Sequence, residues 1–204
     1  SPAQIQLYQS REWLNYDRNL NDNLFPQHIL FLSLSGTHNN ILVRKRKMIS
    51  GSGFIVPEGN TPTNIFLRNI NDCKTGGFDR SKELLSATGY DLAMFGGFAW
   101  QIRWNSLGTK IVSVEHVPFQ TVRRGKINGE TGETDGFWLA PEWGFGTLNR
   151  DYTGREIGIR EFERPKYICE FNPDCPNPFE PSLLYYHQKN GFNSYYPVPD
   201  YNGG

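Results

Sequence analysis

The feature that most constrains the fold is a change of hydrophobic period at Gly96-Gly97. Before this pair, apolar residues recur at helical spacing over 79–95, and after it every second residue of 98–104 is apolar. A four-residue turn, 105–108, then leads into a second apolar stretch that ends before Pro118. The pattern therefore predicts a helix at about 79–95, followed by an antiparallel hairpin that pairs 97–104 with 110–117.

The remaining elements are predicted to be short. Helices are expected at 24–35 and from an N-capping Thr37 to about Ser50. A second hairpin is expected to pair 121–126 with 136–139, and one strand, 182–187, interrupts a proline-rich region. With 21 Gly and 13 Pro in 204 residues, the predicted fold class is α+β, with short helices packed on antiparallel hairpins and long Pro/Gly-rich loops. We expect a single domain, 1–204, with a helical part (1–56), a helix-plus-strand part (57–139) and a loop-rich part (140–204).

The charge balance excludes a generally basic nucleic-acid-binding protein. Lys plus Arg and Asp plus Glu both number 21, so any contact with phosphate must come from a local patch. Two basic runs stand out, and each is either a solvated surface or a surface that faces DNA or an acidic partner. They comprise Arg44, Lys45, Arg46 and Lys47, and Arg123, Arg124 and Lys126.

No enzymatic motif is recognisable, and we predict no catalytic, cofactor-binding or metal-binding residues. The four histidines lack the spacing of zinc ligands, and neither a nucleophile elbow nor a P-loop is present. A hydrolase would need a pocket that brings His116 or His187 to carboxylates. Cys169 and Cys175 are free to pair or to stay reduced. No apolar run has the length of a membrane span, and we expect no membrane partner.

The aromatic residues of the predicted hairpin leave two interpretations open. Phe98, Trp100 and Trp104 lie on one strand. Such residues are either buried in a core or a subunit interface, or they form an exposed stacking platform. We expect both tryptophans to be largely buried in domain or subunit contacts. Aromatic side chains that stayed exposed would instead favour a carbohydrate- or surface-binding β-rich module of a bacterial or phage protein.

Three stretches, in this order, resemble the portal proteins of tailed bacteriophages. The segment YDLAMFGGFAWQIRWNSLGTKIVSVEHVPF at 90–119 is similar to the central block of that family. LFPQHILFLSLSGTHNNILVRKRKMISGSGF at 24–54 resembles its N-terminal helical region, and YYPVPDYNG at 195–203 resembles the segment before its later long helices. Portal subunits are longer than this chain, so the resemblance implies an N-terminal portion of the subunit, mainly the wing.

The resemblance implies a structural protein and no enzymatic activity. Portal subunits form a closed ring, typically a dodecamer, at one capsid vertex. Double-stranded DNA passes through the ring without sequence specificity, and the ring contacts terminase, capsid and tail-connector proteins. The implied location is the virion, after assembly in the cytoplasm of the host bacterium. If Arg123 and Arg124 face DNA or a neighbouring subunit, reversing their charges is expected to impair assembly or packaging while the melting temperature barely changes.

Overall fold

The computed structural model describes residues 9–10, 12–14, 24–51, 57–65, 74–75, 78–126, 130, 134, 136–141, 143 and 165–188. The described part has the α+β fold class predicted from the sequence, with helices and a six-stranded, mostly antiparallel sheet. Cys73 and the 195–203 stretch lie outside the described residues, as does much of the loop-rich region.

The helices and strands are named here in chain order. The helices are α1 (Leu24–Ser33), α2 (Gly36–Ser50) and α3 (Arg80–Phe95), and residues 62–65 are also helical. Two small antiparallel pairs are β1 (Gln9–Ser10) with β2 (Trp13–Leu14), and β3 (Lys74–Thr75) with β4 (Phe78–Asp79). The main sheet contains β5 (Gly97–Trp104), β6 (Ile111–Val117), β7 (Val122–Arg124), β8 (Phe137–Leu139), β9 (Lys166–Glu170) and β10 (Ser182–His187).

The predicted change from helix to strand is confirmed at Gly96-Gly97. Gly96 has a φ of 77°, a left-handed conformation that ends α3 and that glycine adopts without strain. A Cβ at Gly97 would lie 2.6 Å from the Phe119 ring and 2.7 Å from the carbonyl oxygen of Tyr186, so β5 begins where only glycine fits. The two glycines therefore fix both the end of α3 and the close approach of β5 to its neighbours.

The helix boundaries were predicted closely, but the predicted N-cap of α2, Thr37, was wrong. The N-cap is Ser35, which makes no side-chain capping hydrogen bond, and Thr37 lies inside the helix. The turn from α1 is tight, because the Leu34 and Ser35 amides bond to carbonyl oxygens of the last turn of α1. The tight turn thus places the start of α2 before the residue that the sequence favoured.

The main sheet has the order β6-β5-β10-β9-β8-β7. Its pairings are antiparallel except for β9 with β10, which run parallel. Both predicted hairpins and the strand Ser182–His187 are present, whereas β9 lies in a region that we expected to be mostly loop. Strands β9 and β10 join the two hairpins into one sheet. Strand β9 pairs with β8 of the second hairpin and with β10, and β10 pairs with β5 of the first hairpin.

Two apolar clusters connect the helices and the sheet. The first lies among α1, α2, α3, β2 and the turn after β6, and the second lies on the sheet itself. Tyr185 on β10 packs against both clusters, with its ring 5.3 Å from that of Phe119 and 4.9 Å from that of Phe137. The first comprises Leu14, Ile29, Leu42, Met94, Phe95 and Phe119, and the second Ala99, Val122, Phe137, Ile168 and Leu183.

The hydroxyl of Tyr185 is buried and has no hydrogen-bond partner among the described residues. Burial raises the pKa of this phenol, and the charges of Arg124 and Arg123 offset part of the effect. An unsatisfied buried hydroxyl is unfavourable, so Tyr185→Phe should leave the free energy of unfolding unchanged or raise it by up to about 1 kcal/mol. Chemical denaturation measures this change. Tyr186→Phe, at an exposed neighbouring side chain, is the control, and a clear loss of stability confined to Tyr185→Phe would contradict the prediction.

Candidate assembly surface

Helices α1 and α2 expose large apolar side chains although each also contributes a residue to the core. Ile29 and Leu42 are buried, whereas Phe31 is 72%, Leu34 78% and Met48 84% exposed. On α2, Ile41, Lys45 and Met48 follow one another at helical spacing and therefore share one face. We name the whole set the helical-hairpin surface: Phe31, Leu32, Leu34, Ile41, Met48 and Ile49, with the basic residues Arg44, Lys45 and Lys47.

The residues of the first basic run, 44–47, differ in their exposure to solvent. Arg44, Lys45 and Lys47 are exposed. Arg46 is partly buried, and its guanidinium carbon lies 6.0 Å from the centre of the Tyr90 ring on α3. Three of the four positive charges thus border the exposed apolar side chains of α2, and the fourth, Arg46, packs against α3.

The second basic run does not form a continuous exposed patch. Arg123 is completely buried, which corrects the expectation that it faces DNA or a partner. Its guanidinium donates to the carbonyl oxygens of Gln120 at 2.8 Å and Val122 at 2.9 Å, and it lies 4.9 Å from the Trp143 ring. Arg123 therefore belongs to the interior beside β7.

The other members of that run differ in exposure. Arg124 is partly buried and donates to the Thr134 hydroxyl at 3.2 Å. Lys126 is exposed and, with Glu12, Trp138 and Tyr167, lines a small cavity of about 270 Å³. Of the three predicted basic residues in this run, only Lys126 is fully available to a partner.

Trp100 and Trp104 are largely but not completely buried, as expected, and Phe98 on the same strand is buried to a similar degree. Trp100 donates its indole N–H to the Thr88 hydroxyl at 2.8 Å, and the ring of Phe98 lies 5.2 Å from its own ring. Phe98 also stacks at 5.4 Å on Tyr186, which is 48% exposed. The sheet therefore carries an aromatic row that is partly open to solvent.

Trp104 stands apart from that row. A register shift between Arg103 and Trp104 separates it from the other strand residues, and it stacks on Phe171 at 6.0 Å with an interplanar angle of 9°. It lines a groove together with residues of the helical turn 62–65. The three aromatics that the sequence grouped together thus have different surroundings.

The pair that comes closest to an acid–base site is Asp91 with His116. The Asp91 Oδ2 atom lies 2.7 Å from His116 Nε2 and accepts a hydrogen bond from the Phe119 amide at 2.9 Å. Asp91 is 5% exposed and connects α3 to the end of β6 and the turn that follows. Both contacts hold elements of the fold together, so the pair has a structural role.

Sequence reasoning missed Asp91, although a signal for it was present. Asp91 lies three residues after Thr88 and four before Phe95, on the face of α3 that the apolar pattern marks as buried. A carboxylate on a buried face requires a partner. The other histidine considered, His187, packs its ring 5.6 Å from that of Tyr185.

Cysteines, candidate metal ligands and membrane-spanning helices were considered in the same way in the described part of the chain. Cys169 and Cys175 are free and exposed. Among the described residues, no group of His, Cys, Asp and Glu side chains is arranged to hold a metal ion. Nor does any described helix combine the length and apolar character that crossing a bilayer requires. No protein-family model matches the chain, and no curated protein matches it either.

Proposed function

We propose that this chain is a structural subunit of the phage-portal type, which assembles with identical copies in a closed ring. The observation that carries the proposal is the helical-hairpin surface, where apolar side chains as exposed as Met48 and Leu34 border basic ones. Exposed apolar surface of this kind marks sites of protein association. Supporting it, the surface falls within 24–54, one of the stretches that resemble portal proteins.

In this proposal the two kinds of side chain have different tasks. Ile41 and Met48 lose their exposed area to a neighbouring subunit, which stabilises the ring. Arg44 and Lys47 face acidic groups of that neighbour or the phosphates of double-stranded DNA. Because the chain has no net charge, it holds DNA weakly and lets it slide, without sequence specificity. The further partners are terminase, capsid and tail-connector proteins in the virion.

The proposal predicts that acidic substitutions on α2 prevent assembly without unfolding the subunit. Ile41→Asp combined with Met48→Asp should weaken self-association of the complete encoded protein by about tenfold or more, because each buries a carboxylate in the interface. Since both positions are exposed in the single chain, the melting temperature of the unassembled subunit should change little. Sedimentation velocity over a concentration series measures the association.

A matched control uses an exposed aromatic residue elsewhere. Phe179→Asp changes a side chain that is 91% exposed and lies outside the helical-hairpin surface, so assembly should be unchanged. If the double variant assembles as well as the unmodified protein, α1 and α2 are not the contact surface. Binding of the surface to anionic lipid vesicles, with no self-association, would assign it to a membrane instead.

A further inference from the structure

Strand β6 forms an open edge of the main sheet. Ile111–Val117 pairs with β5 on one side and, within the described part of the chain, with nothing on the other. The opposite edge differs, because Gly125 directly after β7 is bridged to Trp13 of β2. Strand β6 has seven residues and no proline, and Glu115 is its one acidic residue. The pairing of β6 with β5 is regular from Ser113 to Val117 and shifts register before Ile111. A regular edge with no proline and one acidic residue is a template for another strand.

A groove lies at the beginning of this edge strand. Its volume is about 480 Å³, and its lining includes Trp104, Ile111, Ile65, Thr109 and Lys110. The stacking of Trp104 on Phe171 holds the indole in place. The turn is also ordered, because the amides of Thr109 and Lys110 both donate to the Asn105 side-chain oxygen, at 2.8 and 3.1 Å. The groove is therefore built from side chains and a turn that the fold already positions.

The edge and the groove are related by the register of the sheet. Trp104 and Ile111 are cross-strand partners on β5 and β6. A residue of an added strand that paired with Ile111 on its open side would lie about 5 Å from it and on the same face. An apolar side chain there would enter the groove. Lys110 is the charged residue among the described residues that line the groove, so it favours an acidic group next to that position.

We propose that β6 binds an extended peptide segment of another protein as an added strand. The peptide supplies backbone hydrogen bonds to the edge, an apolar side chain to the groove and an acidic residue to Lys110. This interaction uses a different surface from α1 and α2, and it goes beyond the assembly of identical subunits. The specificity of the interaction comes from the alternate side chains of the peptide, which face the groove.

The test is selection of random displayed peptides of about ten residues against the immobilised protein, followed by affinity measurements on synthetic copies. Enriched peptides should alternate apolar or β-branched residues with polar ones and carry an acidic residue. N-methylation of alternate amides, which blocks one edge of the peptide, should weaken binding by about tenfold or more. Val112→Lys on β6 and Ile65→Asp in the groove should weaken it similarly, whereas Leu107→Lys in the exposed turn should not.

A charge exchange adds a test that does not depend on loss of folding. Lys110→Glu should weaken the selected peptide, and replacing the acidic residue of the peptide by lysine should restore the affinity. The proposal is overturned if no peptide is enriched over a control protein, or if N-methylated and unmodified peptides bind equally. It is also overturned if the groove binds an oligosaccharide from a glycan array and no peptide, or if β6 pairs only with a second copy of itself.

Discussion

Arg123→Glu is expected to lower the free energy of unfolding by about 3–5 kcal/mol. The guanidinium is completely buried and donates to the Gln120 and Val122 carbonyl oxygens. A carboxylate at this position would turn its own oxygens towards these acceptors, and the face of the Trp143 ring would lose its cation. For a chain of this length, a loss of about 3 kcal/mol lowers the melting temperature by about 6–12 °C.

Lys126→Glu is the matched control for this variant. It makes the same reversal of charge three residues further along the same basic run, but at an exposed side chain. Its free energy of unfolding should change by no more than about 0.5 kcal/mol. Thermal and urea unfolding, followed by circular dichroism, distinguish the two cases. Equal melting temperatures for both variants would contradict the burial of Arg123.

Asp91→Ala should destabilise the fold by about 2–4 kcal/mol. The substitution removes the acceptor of both His116 Nε2 and the Phe119 amide, and so releases contacts between α3, the end of β6 and the following turn. The buried Phe119 amide is left without its acceptor, which adds a desolvation penalty. Urea unfolding of the variant measures the loss.

A double-mutant cycle with His116→Ala assigns this effect to the pair. If the 2.7 Å contact contributes to stability, the two substitutions together should cost less than the sum of their separate effects. Asp91→Asn, which keeps a side-chain oxygen for the Phe119 amide, should cost less than Asp91→Ala. Strict additivity of the two alanine substitutions would show that the Asp91–His116 contact does not stabilise the fold.

The elements that were predicted correctly are those whose signals are local. Helix α3 and the β5–β6 hairpin each carry an apolar periodicity, bounded by glycine, proline or turn residues, within about twenty residues of sequence. Strand β10 is a short run of apolar and aromatic residues that begins after Pro181. Gly96 marks the change of period because the backbone requires a positive φ there. Short-range sequence pattern is sufficient where the interactions that decide the structure are themselves short-range.

Strand β9 was missed because its sequence carries almost no pattern. Of its five residues only Ile168 is buried, so no alternation distinguishes Lys166–Glu170 from the proline-rich loops around it. Its place in the sheet depends on antiparallel pairing with β8 and parallel pairing with β10. These contacts join segments that are distant in sequence, and composition alone does not predict them.

The candidate surfaces show the same contrast between features that a local sequence pattern predicts and features that depend on contacts distant in sequence. The exposure of Arg44, Lys45 and Lys47 agrees with both interpretations of this run, a solvated surface and a surface that faces DNA or an acidic partner. Arg123 looked equivalent in sequence, but its burial depends on Trp143, twenty residues further along the chain. No sequence pattern distinguished the exposed Ile41 and Met48 of α2 from the buried Leu42. Which face of a helix is left uncovered is decided by tertiary packing, and that information is absent from the local pattern.

The most direct test of the proposed function is the size and symmetry of the complete encoded protein in solution. Negative-stain electron microscopy, together with multi-angle light scattering, gives both in one preparation. The portal-type proposal predicts closed rings of about twelve subunits with a central channel, as for a head-to-tail interface that closes. The Ile41→Asp, Met48→Asp variant should give separate subunits under the same conditions. A stable monomer or dimer at every protein and salt concentration would contradict the proposal.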